Sequence, residues 1–163
     1  MPSTYAPIST TTLSTSQSSV TLNSFSGYTD LVIVINGTCS LIDRSIRVQY
    51  NGDTNTNYSY VNMFGYSGGV LSQKASTVNH TRWAAASSTN TPNTYVVNLF
   101  NYSNTTTFKT HLARSGGLGD QDSVEAFNGM WRSTSAITSI LIFPNTGTFN
   151  SGMTFTVYGI LKA

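Results

Sequence analysis

Short apolar runs that end at turn signals recur along almost the whole chain, and no stretch repeats apolar residues at helical spacing over three turns. Residues 31–35 are continuously apolar and stop at Asn36 and Gly37. Residues 46–50 alternate apolar with polar side chains and stop at Asn51 and Gly52, and Asn-Gly is a strong turn signal. About nine such runs predict an all-β fold, an antiparallel β-sandwich of jelly-roll-like topology.

The other predicted strands are separated by Gly, Pro, Asn and Ser, which favour turns. They cover residues 20–25, 58–64, 95–100, 106–113, 124–131, 137–143 and 153–161, with a short strand at 80–86 inside the irregular stretch 65–93.

The composition favours strands over helices. Only 9% of the residues are charged, against about a quarter in ordinary soluble proteins, and Ser, Thr and Asn take their place. Their side chains compete for backbone hydrogen bonds and disfavour helix interiors. A chain of 163 residues forms one domain and can bury roughly two-thirds of its unfolded surface. Cys39 is the only cysteine, so no intrachain disulfide can form.

Residues 1–17 are more polar than the rest of the chain and contain two prolines and a run of Ser and Thr. Since little of this segment can be buried, we predict an extended N-terminal arm that is ordered only against a neighbouring subunit. The sandwich domain would then cover residues 18–163. Tyr5, Ile8 and Leu13 are the isolated apolar side chains by which the arm would contact a sister subunit or a larger shell.

The charge pattern argues against two classes of partner. The net charge is +2 and the basic residues are scattered, whereas nucleic-acid binding needs a basic stripe. No apolar run approaches the roughly 20 residues of a membrane helix, and the N-terminus lacks the features of a secretory signal. We therefore expect no nucleic acid and no membrane as partner.

Gly65, Ser67 and Gly69 match the Gly-x-Ser-x-Gly pattern of a nucleophile elbow. That motif needs a serine on a sharp turn between a strand and a helix, and no helical pattern follows here. A glycine-rich loop is therefore favoured.

Other candidate sites are equally weak. Residues 53–57 resemble the opening of a calcium loop, but Tyr58 and Phe64 stand where an EF-hand needs Gly and Glu, so a turn held by Asp and Asn side chains is favoured. His80 and His111 lack metal-ligand spacing.

Asp120, Asp122 and Glu125 cluster in sequence, but a loop and a strand edge explain them as well as a glycosidase pair does. We expect no enzyme activity and no cofactor.

Several tyrosines lie in or near predicted turns, namely Tyr58, Tyr60, Tyr66, Tyr95 and Tyr102. Exposed tyrosines could fill subunit interfaces or stack on sugars, and buried ones would close the ends of the sandwich. The sequence leaves the interface and the buried positions equally open and favours sugar binding less.

Long segments of the chain resemble a family of small virion proteins of tailed phages, common in phages of cyanobacteria and marine bacteria. The matching segments are STYAPI (3–8), TDLVIV (29–34), IRVQYNGDTNTNYSY (46–60), NYSNTTTFKT (101–110), WRSTSAI (131–137) and FTVYGI (155–160). The resemblance spans nearly the whole chain and implies a place on the virion more firmly than it implies a role there.

Two structural roles fit this resemblance. In the first, the chain is a capsid decoration or cement protein on the outer capsid surface, a homotrimer that clamps neighbouring copies of the major capsid protein. In the second, it is a module at a tail-fibre tip that recognises glycans of the host surface. The decoration role is favoured because residues 1–17 are too few to form a fibre shaft, although fold alone does not decide function.

Overall fold

The computed structural model describes residues 5–42, 45–84, 88–117 and 122–161. These residues form twelve strands and no helix, and every strand pairing between them is antiparallel. The strands make two sheets that pack face to face, which confirms the predicted all-β antiparallel sandwich of jelly-roll-like form. None of these residues belongs to a helix of the length and hydropathy that crossing a membrane requires.

The larger sheet contains eight strands, in the spatial order β1 (Tyr5–Thr12), β12 (Thr154–Ile160), β3 (Asp30–Gly37), β8 (Asn93–Phe100), β9 (Lys109–Gly117), β10 (Ser123–Trp131), β5 (Tyr58–Tyr66) and β6 (Gly69–Val78). The smaller sheet contains four strands, in the order β2 (Val20–Asn23), β11 (Ser139–Pro144), β4 (Ile46–Tyr50) and β7 (Thr81–Ala84).

The core follows from the two-residue period of the strands, which sends alternate side chains to opposite faces. In β3, Leu31, Ile33 and Ile35 face the smaller sheet and are fully buried. On the opposite face Val32 is also buried and Val34 is half-buried, because β3 lies between β12 and β8 in the middle of the sheet. The continuous apolar run thus corresponds to a strand covered on one face and largely covered on the other.

An aromatic cluster fills the core beneath β9, β10 and β5. The ring of Trp131 stacks on Tyr58 with centroids 6.3 Å apart and lies 5.7 Å from Tyr50. The imidazole of His111 lies edge-on between Tyr50 and Trp83. These large buried side chains provide much of the apolar area that drives the two sheets together.

The N-terminal segment has a place in the sheet of its own chain. Residues 5–12 form β1, which pairs with β12 in a register from Tyr5 opposite Ile160 to Thr12 opposite Thr154. The sequence predicted an arm that becomes ordered only against a neighbouring subunit, whereas the observed partner of residues 5–12 is a strand of the same chain. The physical reason is that strand pairing needs only backbone groups, so a polar Ser/Thr segment can cover the edge of β12 without forming a core of its own.

The stretch 65–93 was predicted to be mostly irregular, but β6 occupies much of it. Strand β6 is ten residues long and, of the strands that the structure describes, pairs with β5 alone. Its side chains are exposed or half-buried on both faces, so they show no alternation of apolar and polar residues. A strand with both faces in water leaves no periodic signal in the sequence.

Cys39 is a buried free thiol in the loop after β3, and its backbone forms an isolated antiparallel β-bridge with Phe149.

Candidate functional site

The serine motif is a hairpin turn rather than a nucleophile elbow. Tyr66 ends β5 and Gly69 begins β6, so Ser67 and Gly68 form the two-residue turn between two antiparallel strands. A nucleophile elbow requires a helix after the serine. The loop interpretation is therefore confirmed.

The acidic cluster does not form a facing pair of carboxylates in the residues that the structure describes. Glu125 is buried and accepts hydrogen bonds from the hydroxyls of Ser115, at 2.5 Å, and Ser123, at 3.4 Å. Asp122 is exposed in front of β10, and Asp120 lies outside the described residues. The two serine hydroxyls thus provide the hydrogen bonds that a buried side chain such as Glu125 needs inside a protein.

The segment 53–57 is a turn held by side chains, as predicted. One carboxylate oxygen of Asp53 accepts from the backbone and side-chain nitrogens of Asn55, and the other accepts from Asn57 and from Nε1 of Trp131 at 2.6 Å. Burial acts to raise the pKa of Asp53, but the hydrogen bonds from Asn57, Trp131 and Asn55 outweigh it and lower the pKa. The carboxylate therefore ties the turn to the aromatic cluster.

His111 is a fully buried member of the aromatic cluster. Its Nε2 lies 3.1 Å from the carbonyl oxygen of Arg82, and its Nδ1 lies 3.1 Å from the hydroxyl of Tyr50. A carbonyl can only accept, so Nε2 carries the proton and Nδ1 accepts from the tyrosine. Burial lowers the pKa of His111 to about 4 and raises that of Tyr50. Both groups are thus neutral and structural.

The space that His111 occupies is made by a glycine on the next strand. Gly129 stands opposite His111 in the β9–β10 register, and a Cβ atom there would overlap the imidazole ring.

Lys109 is buried at the start of β9. Its ammonium group donates to the carbonyl oxygens of Thr107, at 2.7 Å, and Thr134, at 3.1 Å. Burial lowers its pKa. The lysine joins two loops at one end of the sandwich.

The three residues expected to contact a partner do not come together. Tyr5 is 55% exposed at the start of β1, Ile8 lies at a bulge between Pro7 and Ser9 and packs against the core, and Leu13 is itself in the core. Tyr5 and Leu13 are about 26 Å apart along an extended strand. Of the three, only Tyr5 presents a large apolar surface to solvent.

Most of the tyrosines close the core. Tyr58, Tyr60, Tyr95 and Tyr102 are buried, and Tyr66 is exposed. Four of the five are therefore not available to stack on a sugar ring or to enter an interface.

The structure brings together an exposed apolar surface that the sequence did not single out. We call Val61, Met63, Val70 and Val124 the outer patch; they are 49%, 58%, 71% and 75% exposed. Strand register places them on the same face of three adjacent strands, because Val124 lies opposite Gly65 and Gly65 lies opposite Val70. A shallow groove of about 670 Å³ runs along this face and is also lined by Thr94 and Arg114.

The opposite face of the same hairpin is also apolar and exposed. Leu71 lies opposite Phe64 in the β5–β6 register, and the ring of Phe64 lies 5.9 Å from that of Tyr66. Leu71 is 45% exposed. The one signal in the sequence was that the run 58–64 has apolar residues at both odd and even positions, whereas a strand with a single buried face has them at alternate positions.

Among the residues that the structure describes, no group of three or more His, Cys, Asp or Glu side chains is placed to hold a metal ion.

Comparison with known proteins gives similarity of fold only. Galectin LEC-6 of Caenorhabditis elegans aligns over 94% of this chain and 96% of its own, at 10% identity and a TM-score of 0.39. A mutant of the alginate lyase Aly36B in complex with alginate tetrasaccharide aligns over 94% of this chain and 81% of its own, at 11% identity and a TM-score of 0.36. No family profile and no curated protein matches the sequence. Values this low carry neither a ligand nor an activity over to this chain.

Proposed function

We propose that this chain is a structural protein of a tailed-phage virion: a decoration protein that binds the outer capsid surface as a homotrimer and strengthens contacts between major capsid proteins. Two things support the proposal, the six sequence segments that resemble small virion proteins and the outer patch. The outer patch carries it, because a face of this composition suits a protein partner.

The outer patch is apolar where most of this surface is polar. Val61, Met63, Val70 and Val124 are all aliphatic or thioether side chains at least 49% exposed. Contiguous exposed apolar surface on a soluble protein marks sites of contact with proteins or membranes. A sugar site, by contrast, needs convergent polar groups beside its apolar ones.

The edge of β6 adds a second means of contact next to the patch. Among the described residues, no strand lies on the outer side of this ten-residue strand, so its backbone groups can pair with a strand of another chain. The outer patch would bury apolar surface against the partner, and backbone hydrogen bonds at the β6 edge would fix the orientation of the partner. Clamping then works by linkage, since a ligand that binds only the assembled shell stabilises that shell by mass action.

The test replaces the chain in phage particles by a variant with Val61→Ser, Met63→Ser and Val124→Ser. These side chains are exposed, so the isolated variant should keep its circular dichroism spectrum and its melting temperature. Particles should incorporate much less of it and should release their DNA at a lower temperature than particles with the unchanged chain.

Two control variants make the result specific. Phe108→Ser removes an apolar side chain of comparable exposure, 50%, from a loop outside the patch, and it should be incorporated normally. Tyr5→Ser tests the contact first expected on β1. Full incorporation of the triple variant would refute the outer patch as the contact surface, and electron microscopy of a tagged chain that labelled neither shell nor tail would refute the virion role.

A groove beside the patch supports the glycan-recognising tail-fibre module as a second candidate. This groove, about 520 Å³ in volume, is lined by Ser59, Lys74, Thr110 and Asn128, which offer hydrogen-bonding groups to a sugar. The burial of four candidate tyrosines removes most of the stacking surfaces that this role would use. Electron microscopy that labelled the tail tip rather than the shell would favour it.

A further inference from the structure

Two arginines lie directly opposite each other where β4 pairs with β7. The register runs from Val48 opposite Thr81 to Arg47 opposite Arg82, and then shifts so that Ile46 lies opposite Ala84. The shift is a β-bulge, and bulges re-aim side chains and occur often beside functional sites. This register places two cations opposite each other on neighbouring strands.

A histidine completes the positive cluster. His80 lies immediately before β7, and burial, followed by the charges of Arg47 and Arg82, lowers its pKa to about 4. Its Nδ1 lies 2.9 Å from the side-chain oxygen of Asn79, an acceptor, so Nδ1 carries the proton of the neutral ring. Nε2 is then the unprotonated ring nitrogen, and it is buried without a hydrogen-bond partner in the described part of the chain.

The guanidinium of Arg82 is held in place on one side and unsatisfied on the other. Its Cζ lies 4.9 Å from the centre of the Tyr60 ring, a cation–π contact that fixes the plane of the group. The ring of Tyr60 also lies 6.5 Å from that of His80. The Nε of Arg82 is buried and has no hydrogen-bond partner among the residues that the structure describes. A buried donor of this kind costs free energy unless it is paired.

We propose that Arg47, Arg82 and His80 form a binding site for an oxyanion, either a carboxylate or a phosphate-type group. Guanidinium groups bind such anions through two parallel N–H···O bonds, and fixed guanidinium planes favour this geometry. The anion would accept from the buried Nε of Arg82, beside the positive charge of Arg47. It would also draw a proton onto Nε2 of His80, which then donates to it. The site is independent of the virion role proposed above.

The primary test is a titration of the intact chain with sodium phosphate and, separately, with sodium acetate, at constant ionic strength set by chloride. A site with a dissociation constant of about 10 mM should raise the melting temperature by about 4 °C at about 100 mM of the bound anion. The imidazole resonances of His80 should shift in nuclear magnetic resonance spectra, and its pKa should rise. A response to phosphate alone assigns phosphate-type groups, and a response to acetate alone assigns carboxylates.

Variants locate the effect. Arg82→Gln should abolish both the thermal and the spectroscopic response, while Arg114→Gln, which removes an exposed arginine from the larger sheet, should keep both. If Arg82→Gln does not fold, the His80 titration of the unchanged chain still decides. The proposal fails if neither anion moves the His80 resonances, or if Arg82→Gln responds as the unchanged chain does.

Discussion

At the scale of single residues, several polar groups of this chain serve the fold through hydrogen bonds to identifiable partners. Asp53 is the clearest case, because its carboxylate accepts four hydrogen bonds from Asn55, Asn57 and Trp131. The loop around it thereby becomes a fixed support for the aromatic cluster. Charge is rare in this sequence, and this residue shows how a single carboxylate can organise a turn.

Replacing Asp53 with Asn should destabilise the protein by about 2 kcal/mol. The amide NH₂ group would take the place of one carboxylate oxygen, and a donor cannot accept the hydrogen bonds that the surrounding N–H groups now make to that oxygen. The urea midpoint followed by Trp131 fluorescence measures the loss. Asp122→Asn, at an exposed carboxylate, is the matched control and should change the midpoint little. The folded pKa of Asp53 is lowered, so its contribution is present above the ordinary Asp pKa and disappears as the pH falls through the folded value. Equal midpoints for the two variants would show that the turn does not depend on Asp53.

His111 should make stability depend on pH in a higher window. Its pKa falls from 6.5 to about 4 on folding, so between these values the unfolded chain binds the extra proton. Stability is therefore full above about pH 6.5 and is lost as the pH falls towards 4, by about 3 kcal/mol in order of magnitude. Urea midpoints across this range measure the slope.

His111→Gln should flatten part of that slope and lower stability at neutral pH, because the bonds to Tyr50 and to the Arg82 carbonyl are lost or weakened. His80→Gln is the comparison, since the pKa of the partly buried His80 is also lowered to about 4 and this variant should remove a further share of the slope. An unchanged slope in His111→Gln would mean that another group controls stability in this window.

At the scale of elements, β1 and β6 form the two edges of the larger sheet and differ in what they leave exposed. Strand β1 is mostly Ser, Thr and other small residues, while β6 carries apolar side chains on both faces near its turn. Edge strands are normally protected against pairing with other chains. The two edges therefore suit different roles: β1 covers the sheet and β6 is open to a partner.

Deleting residues 2–13 should leave a folded but less stable sandwich. The deletion removes Leu13 from the core and uncovers the edge of β12, and loss of a buried leucine side chain alone costs about 2 kcal/mol or more. Thermal unfolding followed by circular dichroism measures the change, with Leu13→Ala separating the core contribution from the pairing. A truncated chain as stable as the full one would restore the separate arm that the sequence predicted.

At the scale of the whole molecule, the sequence was informative wherever one face of a strand is buried. The runs that became β3, β4 and β11 were found because their side chains alternate or are continuously apolar. Strands β1 and β6 were not found, since an edge strand with polar or doubly exposed side chains carries no period. The turn at Asp53 was predicted from its Asp and Asn residues. The Arg47–Arg82 pairing was not, because it depends on a bulge and on the register of strands distant in the chain.

The pairing of β1 with β12 determines how the molecule responds to mechanical load. Tyr5 and Ile160 are opposite each other, so the outer ends of the first and last strands lie side by side. A force applied between these ends acts along the interstrand hydrogen bonds, and these bonds break one pair at a time instead of sharing the load. In an optical trap β1 should peel away at low force while the other strands remain paired. A decoration protein of the kind proposed above would then have to bear tension through the faces of its sheets and not through the outer ends of β1 and β12.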